Sequence, residues 1–240
     1  MKSDSGGGRW IQVPPVRFPG WIDAFGNRHG ATPDTPLGVA ASRENGARGA
    51  SVEESVIFVA PDGAMARCHP PFPGPWLRER IGLVASESAS AIAAHALTDR
   101  AVGVLLVRLG GHAVGVFTGS PPQLADAQAG SRPVHGRSAA GGWSQQRFAR
   151  RRDKQAGQAL GAAASAAAEV WDRWARSRSL DAVVLGGDSR AAAALRQDAR
   201  LAPYLDRAVA RFLTVPDPTL AVLTDSPRLF LAVRIWLTES

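Results

Sequence analysis

The residues of this chain that could do chemistry together lie at positions 138–154, SAAGGWSQQRFARRRDK. Ser138, Ala139, Ala140, Gly141 and Gly142 are five small residues in a row, which no packed element needs. They run straight into a segment carrying Arg147, Arg150, Arg151, Arg152 and Lys154. Glycine lets backbone approach a ligand closely and accept positive φ, and the arginines supply charge for a polyanion. The combination reads as a loop mounted on a basic helical stalk, and the polyanion it points to is RNA. Helical spacing spreads the cations around the stalk, so simple solvation accounts for one or two of them.

Within that stretch, GGWSQQRFARRR resembles the GGQSALRFARLR-type block in the middle domain of eukaryotic and archaeal class 1 release factors. The match is residue by residue at Gly141, Gly142, Ser144, Arg147, Phe148, Ala149, Arg150 and Arg152. Trp143 stands where an ungapped alignment puts the release-factor glutamine, and the available glutamines are Gln145 and Gln146. A glutamine shifted to follow Gly-Gly-x-Ser resembles the Vms-like branch of release-factor-like peptidyl-tRNA hydrolases, including its actinobacterial members. The resemblance covers roughly residues 101–240. It implies an α/β fold, α+β overall: a release-factor middle-domain-like mixed sheet with flanking helices, of ribonuclease-H-like character. It also implies a peptidyl-tRNA hydrolase that frees nascent chains from stalled ribosomes. The implied catalytic set is Gln145, with Gln146 next, on a loop shaped by Gly141, Gly142 and Ser144. The implied RNA-binding set is Trp143, Arg137, Arg147, Arg150, Arg151, Arg152 and Lys154. No metal or other cofactor is expected. The expected partners are the large ribosomal subunit and peptidyl-tRNA, with no DNA and no membrane, and the chain is expected to be a monomer.

A peptidyl-tRNA ester is already activated, so the task is to place water against the carbonyl carbon and stabilise the oxyanion. A glutamine amide can place water but is far too weakly basic to act as a general base at neutral pH. If Ser144 caps the helix, Gln145 lies in its first turn, beside free N–H groups and the positive end of the helix dipole. Either glutamine could instead be a solvated residue at a helix start. Trp143 could stack on a base or ribose, or anchor the loop by local packing. A different enzyme class is suggested by Gly187-Asp188-Ser189, a GDS-type nucleophile block, but no histidine follows His135 to act as its base. A non-catalytic ribosome- or RNA-binding adaptor would need only the arginine helix.

The wider composition agrees with an RNA partner. The net charge is +7 and the isoelectric point about 11.0, and Lys2 and Lys154 are the only lysines, so nearly all cationic charge is arginine. Arginine favours forked contacts to phosphate and stacking on bases. A GC-rich genome also enriches Ala and Arg, but it does not place arginines next to the glycine loop. The 240 residues, 45% of them hydrophobic, suffice for one large or two modest cores. Residues 1–8 lack the apolar core of a signal peptide and no apolar run is long enough to cross a bilayer, so a cytoplasmic location is expected. Cys68 is the only cysteine, and the five histidines (His29, His69, His95, His112 and His135) are scattered without metal-ligand spacing.

The elements around the loop follow from pattern. Residues 1–75 read as a small α+β domain. It has a strand around 10–13, a break at Pro14-Pro15, a helix near 19–28 stopped by Gly30, a loop or insertion over 31–49, and a hairpin of 55–60 with 64–68 about Pro-Asp-Gly. Trp21, Ile22 and Phe25 share one helical face. Residues 76–100 read as a helical linker, with a break possible at 86–90. Residues 101–240 form the release-factor-like domain, with the Gly-rich loop at 136–146. Its strands are 101–109 and 112–118 about Gly110-Gly111, followed by a polar connection over 121–137. The stalk helix runs over 144–178, with Ala156, Leu160, Ala163, Ala167, Val170 and Trp174 facing inward. A strand at 180–185, a turn at 186–189 and a helix at 190–196 come next. Residues 204–212 suit a helix or strand, and 228–237 a buried terminal strand or helix.

Overall fold

A computed structural model describes residues 7–45, 52–72, 74, 77, 84–108, 110–131 and 144–239. The chain divides into two compact units, one formed by residues up to Thr98 together with those from Arg228 on, the other by Asp99–Pro227.

The first unit is built on β1 (Gly8–Val13), α1 (Phe18–Arg28), β2 (Gly38–Asn45), β3 (Val52–Val59), β4 (Met65–His69), α2 (Ala85–Ala96) and β10 (Val233–Thr238). Its sheet has the order β1-β10-β4-β3-β2 and is antiparallel throughout. Strand alternation turns Ile11, Val13, Val56, Phe58, Ala66, Cys68, Val233, Ile235 and Leu237 to one side. There they form a core with Phe18, Ile22 and Phe25 of α1 and Ala89 and Ile92 of α2. Gly30, at φ 78°, closes α1: the Ala31 N–H donates to the Gly26 carbonyl at 2.9 Å, a left-handed cap that L side chains resist. The β3–β4 turn follows its Pro-Asp-Gly sequence, with Gly63 at φ 90° and the Asp62 carboxylate accepting from the Ala64 N–H at 2.9 Å.

Three expectations for this unit change. Part of the stretch taken as a loop, 31–49, is strand β2, because its small residues suit an outermost position paired only with β3. Residues 86–90 do not break the helix, and Ser88 is fully buried in it. Rather than linking domains, α2 packs on α1.

The second unit comprises β5 (Val102–Arg108), β6 (Gly111–Thr118), β7 (Gln123–Ser131), α3 (Ser144–Ala175), β8 (Ala182–Gly187), α4 (Ser189–Leu195), α5 (Ala202–Leu205), β9 (Ala208–Leu213) and α6 (Leu220–Thr224). The sheet order is β7-β6-β5-β8-β9. The β7–β6–β5 pairs are antiparallel and β5–β8–β9 parallel, so the sheet is mixed, as the resemblance implies. Strand β5 is buried from Val102 to Val107 because both of its faces are covered. On one side Ala101, Leu105 and Val107 join the alanine-rich face of α3. On the other, Leu223 of α6 lies so close that a Cβ on Gly115 would stand 3.1 Å from it.

The expected polar connection over 121–137 is β7 as far as Ser131. It is an edge strand of alternately exposed residues, so it never needed an apolar stripe. The terminal strand expected in this unit lies elsewhere: β10 inserts between β1 and β4 of the first sheet, with Ile235 opposite both Ile11 and Cys68. The short segment α7 (Pro227–Phe230) leads into it.

Candidate functional site

The site begins where β7 ends. Strand β7 delivers the chain at Ser131 and helix α3 receives it at Ser144. Arg137, Gly141, Gly142 and Trp143, with the rest of 132–143, lie outside the described residues. Ser144, Gln145, Gln146 and Arg147 are the first four residues of α3. The first four N–H groups of a helix have no intrahelical acceptor and carry the positive end of the dipole. The two candidate glutamines therefore lie in the first turn, among N–H groups that have no intrahelical acceptor. Successive residues lie about 100° apart around the axis, so the two glutamines cannot both face one ligand atom.

The cations follow on the same element. Arg147, Arg150, Arg151, Arg152 and Lys154 fall within the first three turns against a single carboxylate, Asp153, and no acidic residue occupies the first turn. A helix start ordinarily favours acids, so this arrangement opposes the dipole and suits an anionic ligand instead.

The second half of the helix is seated on the sheet. None of residues 155–162 is buried, whereas Ala163, Ala164, Ala166, Ala167, Ala168, Val170 and Trp171 are. Ala163 lies about 28 Å along the axis from the helix start. Trp171, fully buried, fits because β5 has glycine beneath it: a Cβ on Gly103 would stand 3.0 Å from the indole nitrogen. Truncating such a ring costs roughly 3–5 kcal/mol. Trp174, named from the helical period, is only partly buried against the same core.

Polar anchors that pattern reading missed complete the attachment. Arg173 forks onto Asp126 of β7, Nε and Nη2 each donating to a carboxylate oxygen at 3.1 Å, and this raises the Arg173 pKa. Both side chains are part-exposed, so the pair stabilises by no more than about 1 kcal/mol, but it fixes the helix to the strand that enters the loop. Tyr204 donates to Asp172; burial first, then that carboxylate, pushes its phenol up to about 12. Arg200 donates to the Ser165 hydroxyl at 3.0 Å. Asp126 gave no signal in sequence because β7 itself was not read as a strand.

The Gly187-Asp188-Ser189 block is a strand-to-helix turn. Gly187, at φ 97°, passes against the Val107 carbonyl, and the Asp188 carboxylate caps α4 by accepting from the Arg190 and Ala191 N–H groups at 2.9 and 2.8 Å. Asp188 is thereby committed to the fold. Among the described residues no three of His, Cys, Asp and Glu cluster as a metal site would require, and no helix is long and apolar enough to cross a membrane.

Comparison with known proteins adds the following. Residues 100–236 match the family described as Actinobacteria/chloroflexi VLRF1 release factor. No curated protein matches the sequence. Among solved structures, the archaeal translation termination factor aRF1 is similar at 13% identity and a TM-score of 0.40, covering 72% of this chain and 50% of that one. The Vms1 mitochondrial localization core is similar at 9% identity and 0.39, covering 78% and 76%. The Dom34 protein of S. cerevisiae, a translation termination-like factor involved in RNA quality control pathways, is similar at 10% identity and 0.30, covering 94% and 65%. The chain thus spans half the length of the archaeal factor. On the match over residues 100–236, more than half its length, the chain belongs to the actinobacterial and chloroflexi VLRF1 release-factor family.

Proposed function

We infer that the chain is a peptidyl-tRNA hydrolase that releases nascent peptides from stalled ribosomes. The observation that supports this reading is the start of α3 at Ser144, a helix start whose first N–H groups lack intrahelical acceptors, with Gln145 next in sequence and Gly141 and Gly142 just before it. Arg137, Arg147, Arg150, Arg151, Arg152 and Lys154, with Trp143, hold the tRNA end on the large subunit, and Gly141 and Gly142 let the backbone approach the ester. The Gln145 amide oxygen accepts a hydrogen bond from a water and aims its lone pair at the ester carbon. As the C–O bond forms, charge develops on the carbonyl oxygen, where helix-start N–H donors stabilise it. The ribose–acyl bond then breaks. The proton lost by the water is balanced by the one the ribose oxygen gains, leaving a peptide carboxyl and an intact tRNA. Positioning and oxyanion stabilisation suffice for so activated an ester, and no group of high basicity is required.

One feature favours a second reading, an adaptor that binds ribosomes without catalysis: an ungapped alignment with the release-factor block puts Trp143 at the position of its glutamine. Incubation with ribosome-bound peptidyl-tRNA separates the two. Hydrolysis gives free peptide together with full-length deacylated tRNA, a nuclease gives cut tRNA, and an adaptor leaves the ester intact.

A further inference from the structure

The Pro61-Asp62-Gly63 turn between β3 and β4 holds the two groups of a reaction that needs only water. In an Asp-Gly pair the glycine nitrogen can attack the aspartate Cγ, since the glycine carries no side chain to screen it. The N–H proton and the carboxyl hydroxyl leave together as water, and a succinimide ring closes. Water then opens the ring at either carbonyl. Opening on one side restores aspartate. Opening on the other leaves isoaspartate, with the main chain running through Cγ and the former backbone carbonyl carbon as a free carboxyl. The main chain gains a methylene, and nothing is oxidised or reduced.

Both reacting groups are engaged in the fold. The Gly63 N–H donates to the Ala60 carbonyl at 3.0 Å. Asp62 Oδ1 accepts from the Ala64 N–H at 2.9 Å, and Oδ2 lies 2.8 Å from His29 Nδ1. An ionised carboxylate can only accept, so the ring nitrogen donates. His29 reaches the turn from the end of α1, where its N–H donates to the Phe25 and Gly26 carbonyls, each at 3.1 Å. Its ring centroid is 4.8 Å from that of Phe25, and its side chain is 10% exposed against 45% for Asp62. Nε2 is buried with no partner among the described residues, so the polar bond that orients this ring is the one to Asp62. The Ala64 N–H first, then His29, hold the Asp62 carboxyl below the usual carboxylate range. An ionised carboxylate is a poor target for a nitrogen nucleophile.

We propose that Asp62-Gly63 is a succinimide-forming modification site that the His29 ring keeps closed. His29 acts as a positioning residue: it fixes a carboxylate whose rotation about the side-chain bonds would otherwise bring Cγ onto the Gly63 nitrogen. Losing the ring contact leaves the chemistry of the Asp-Gly pair intact and removes the restraint. The β3–β4 ladder begins just beyond the turn, with Val59 opposite Met65. An added methylene there must distort the turn or shift the register of β4, which is paired on both sides by β3 and β10.

The test is prolonged incubation of the full chain at neutral pH, then peptide mapping with fragmentation that tells isoaspartate from aspartate at position 62. His29→Leu keeps apolar bulk against Phe25 and removes the donor. It should speed isoaspartate formation about tenfold, the weight of a hydrogen bond to a charged group. His29→Gln keeps an N–H donor and should restore most of the protection. Ile22→Val loosens the same core without touching the turn, and should leave the rate near that of wild type. The wild-type chain unfolded in urea should isomerise faster than the folded one, which reads the protection without any substitution. A His29→Leu rate equal to that of wild type would overturn the proposal. So would an equal rise in Ile22→Val, which would trace the reaction to general unfolding, or a folded wild type that isomerises as fast as the unfolded chain.

Discussion

Two glycines illustrate how far a residue's effect depends on what surrounds it. At Gly187 a Cβ would stand 2.1 Å from the Val107 carbonyl oxygen, with φ at 97°. Gly187→Ala should therefore destabilise the second unit by at least about 2 kcal/mol. At Gly161, on the exposed side of α3, nothing lies within 4 Å. Gly161→Ala should stabilise the helix by about 1 kcal/mol. Urea midpoints of the two variants should move in opposite directions, and a shared direction would contradict the placement of either glycine. Tyr204 is the only tyrosine, so phenolate absorbance reports it alone. With its pKa raised to about 12 by burial and Asp172, its contribution to stability is complete below the ordinary value near 10 and is lost as pH rises through about 12. Asp172→Asn should bring the midpoint down toward 10, and a wild-type midpoint already near 10 would remove the Tyr204–Asp172 anchor. The candidate residues themselves were legible only through the short block at 141–152. No period or composition singles out a neutral glutamine, whereas the cations around it are visible as a cluster.

At the scale of elements, turn chemistry was legible and edges were not. Pro-Asp-Gly and Gly110-Gly111 marked both hairpins because positive φ at Gly63 and Gly110 restricts what the sequence can place there. Helix α3 was found from its inner alanine stripe, since one face of a long helix must meet the sheet. Strands β2 and β7 were read as loops because an outermost strand, paired on one side and half solvated, can be built from Ala, Ser, Gln and Gly without an apolar alternation. The basic start of α3 carries its own prediction. Arg150→Ala/Arg151→Ala should weaken binding to deacylated tRNA and flatten the dependence of log affinity on log salt by about 1–2. An unchanged slope would show these arginines to be solvated rather than engaged.

At the scale of the whole molecule, the surprise is β10. Its apolar sequence announced a buried strand, but which sheet takes it is decided by pairing with residues more than 160 positions away, and no local period encodes that. Since β10 lies between β1 and β4, removing residues 228–240 should unfold the first unit, exposing Cys68, whose thiol burial holds inert and well above its ordinary pKa. The second unit has its own core and sheet, so Tyr204 should still titrate near 12 while Cys68 reacts rapidly with a thiol reagent. Concurrent loss of both signals would show that the two units do not fold separately.

The central claim is that Gln145 positions the attacking water. It is tested most directly by peptide release from ribosome-bound peptidyl-tRNA, at matched ribosome occupancy, for Gln145→Ala, Gln146→Ala and Trp143→Gln. The substitution at 145 removes an amide and no charge, so binding should survive while release falls about a hundredfold; Gln146→Ala should be milder, since its side chain leaves the axis about 100° away. Full release by Gln145→Ala would contradict the assignment of that residue, and full release by all three variants would contradict the release-factor mechanism for this chain.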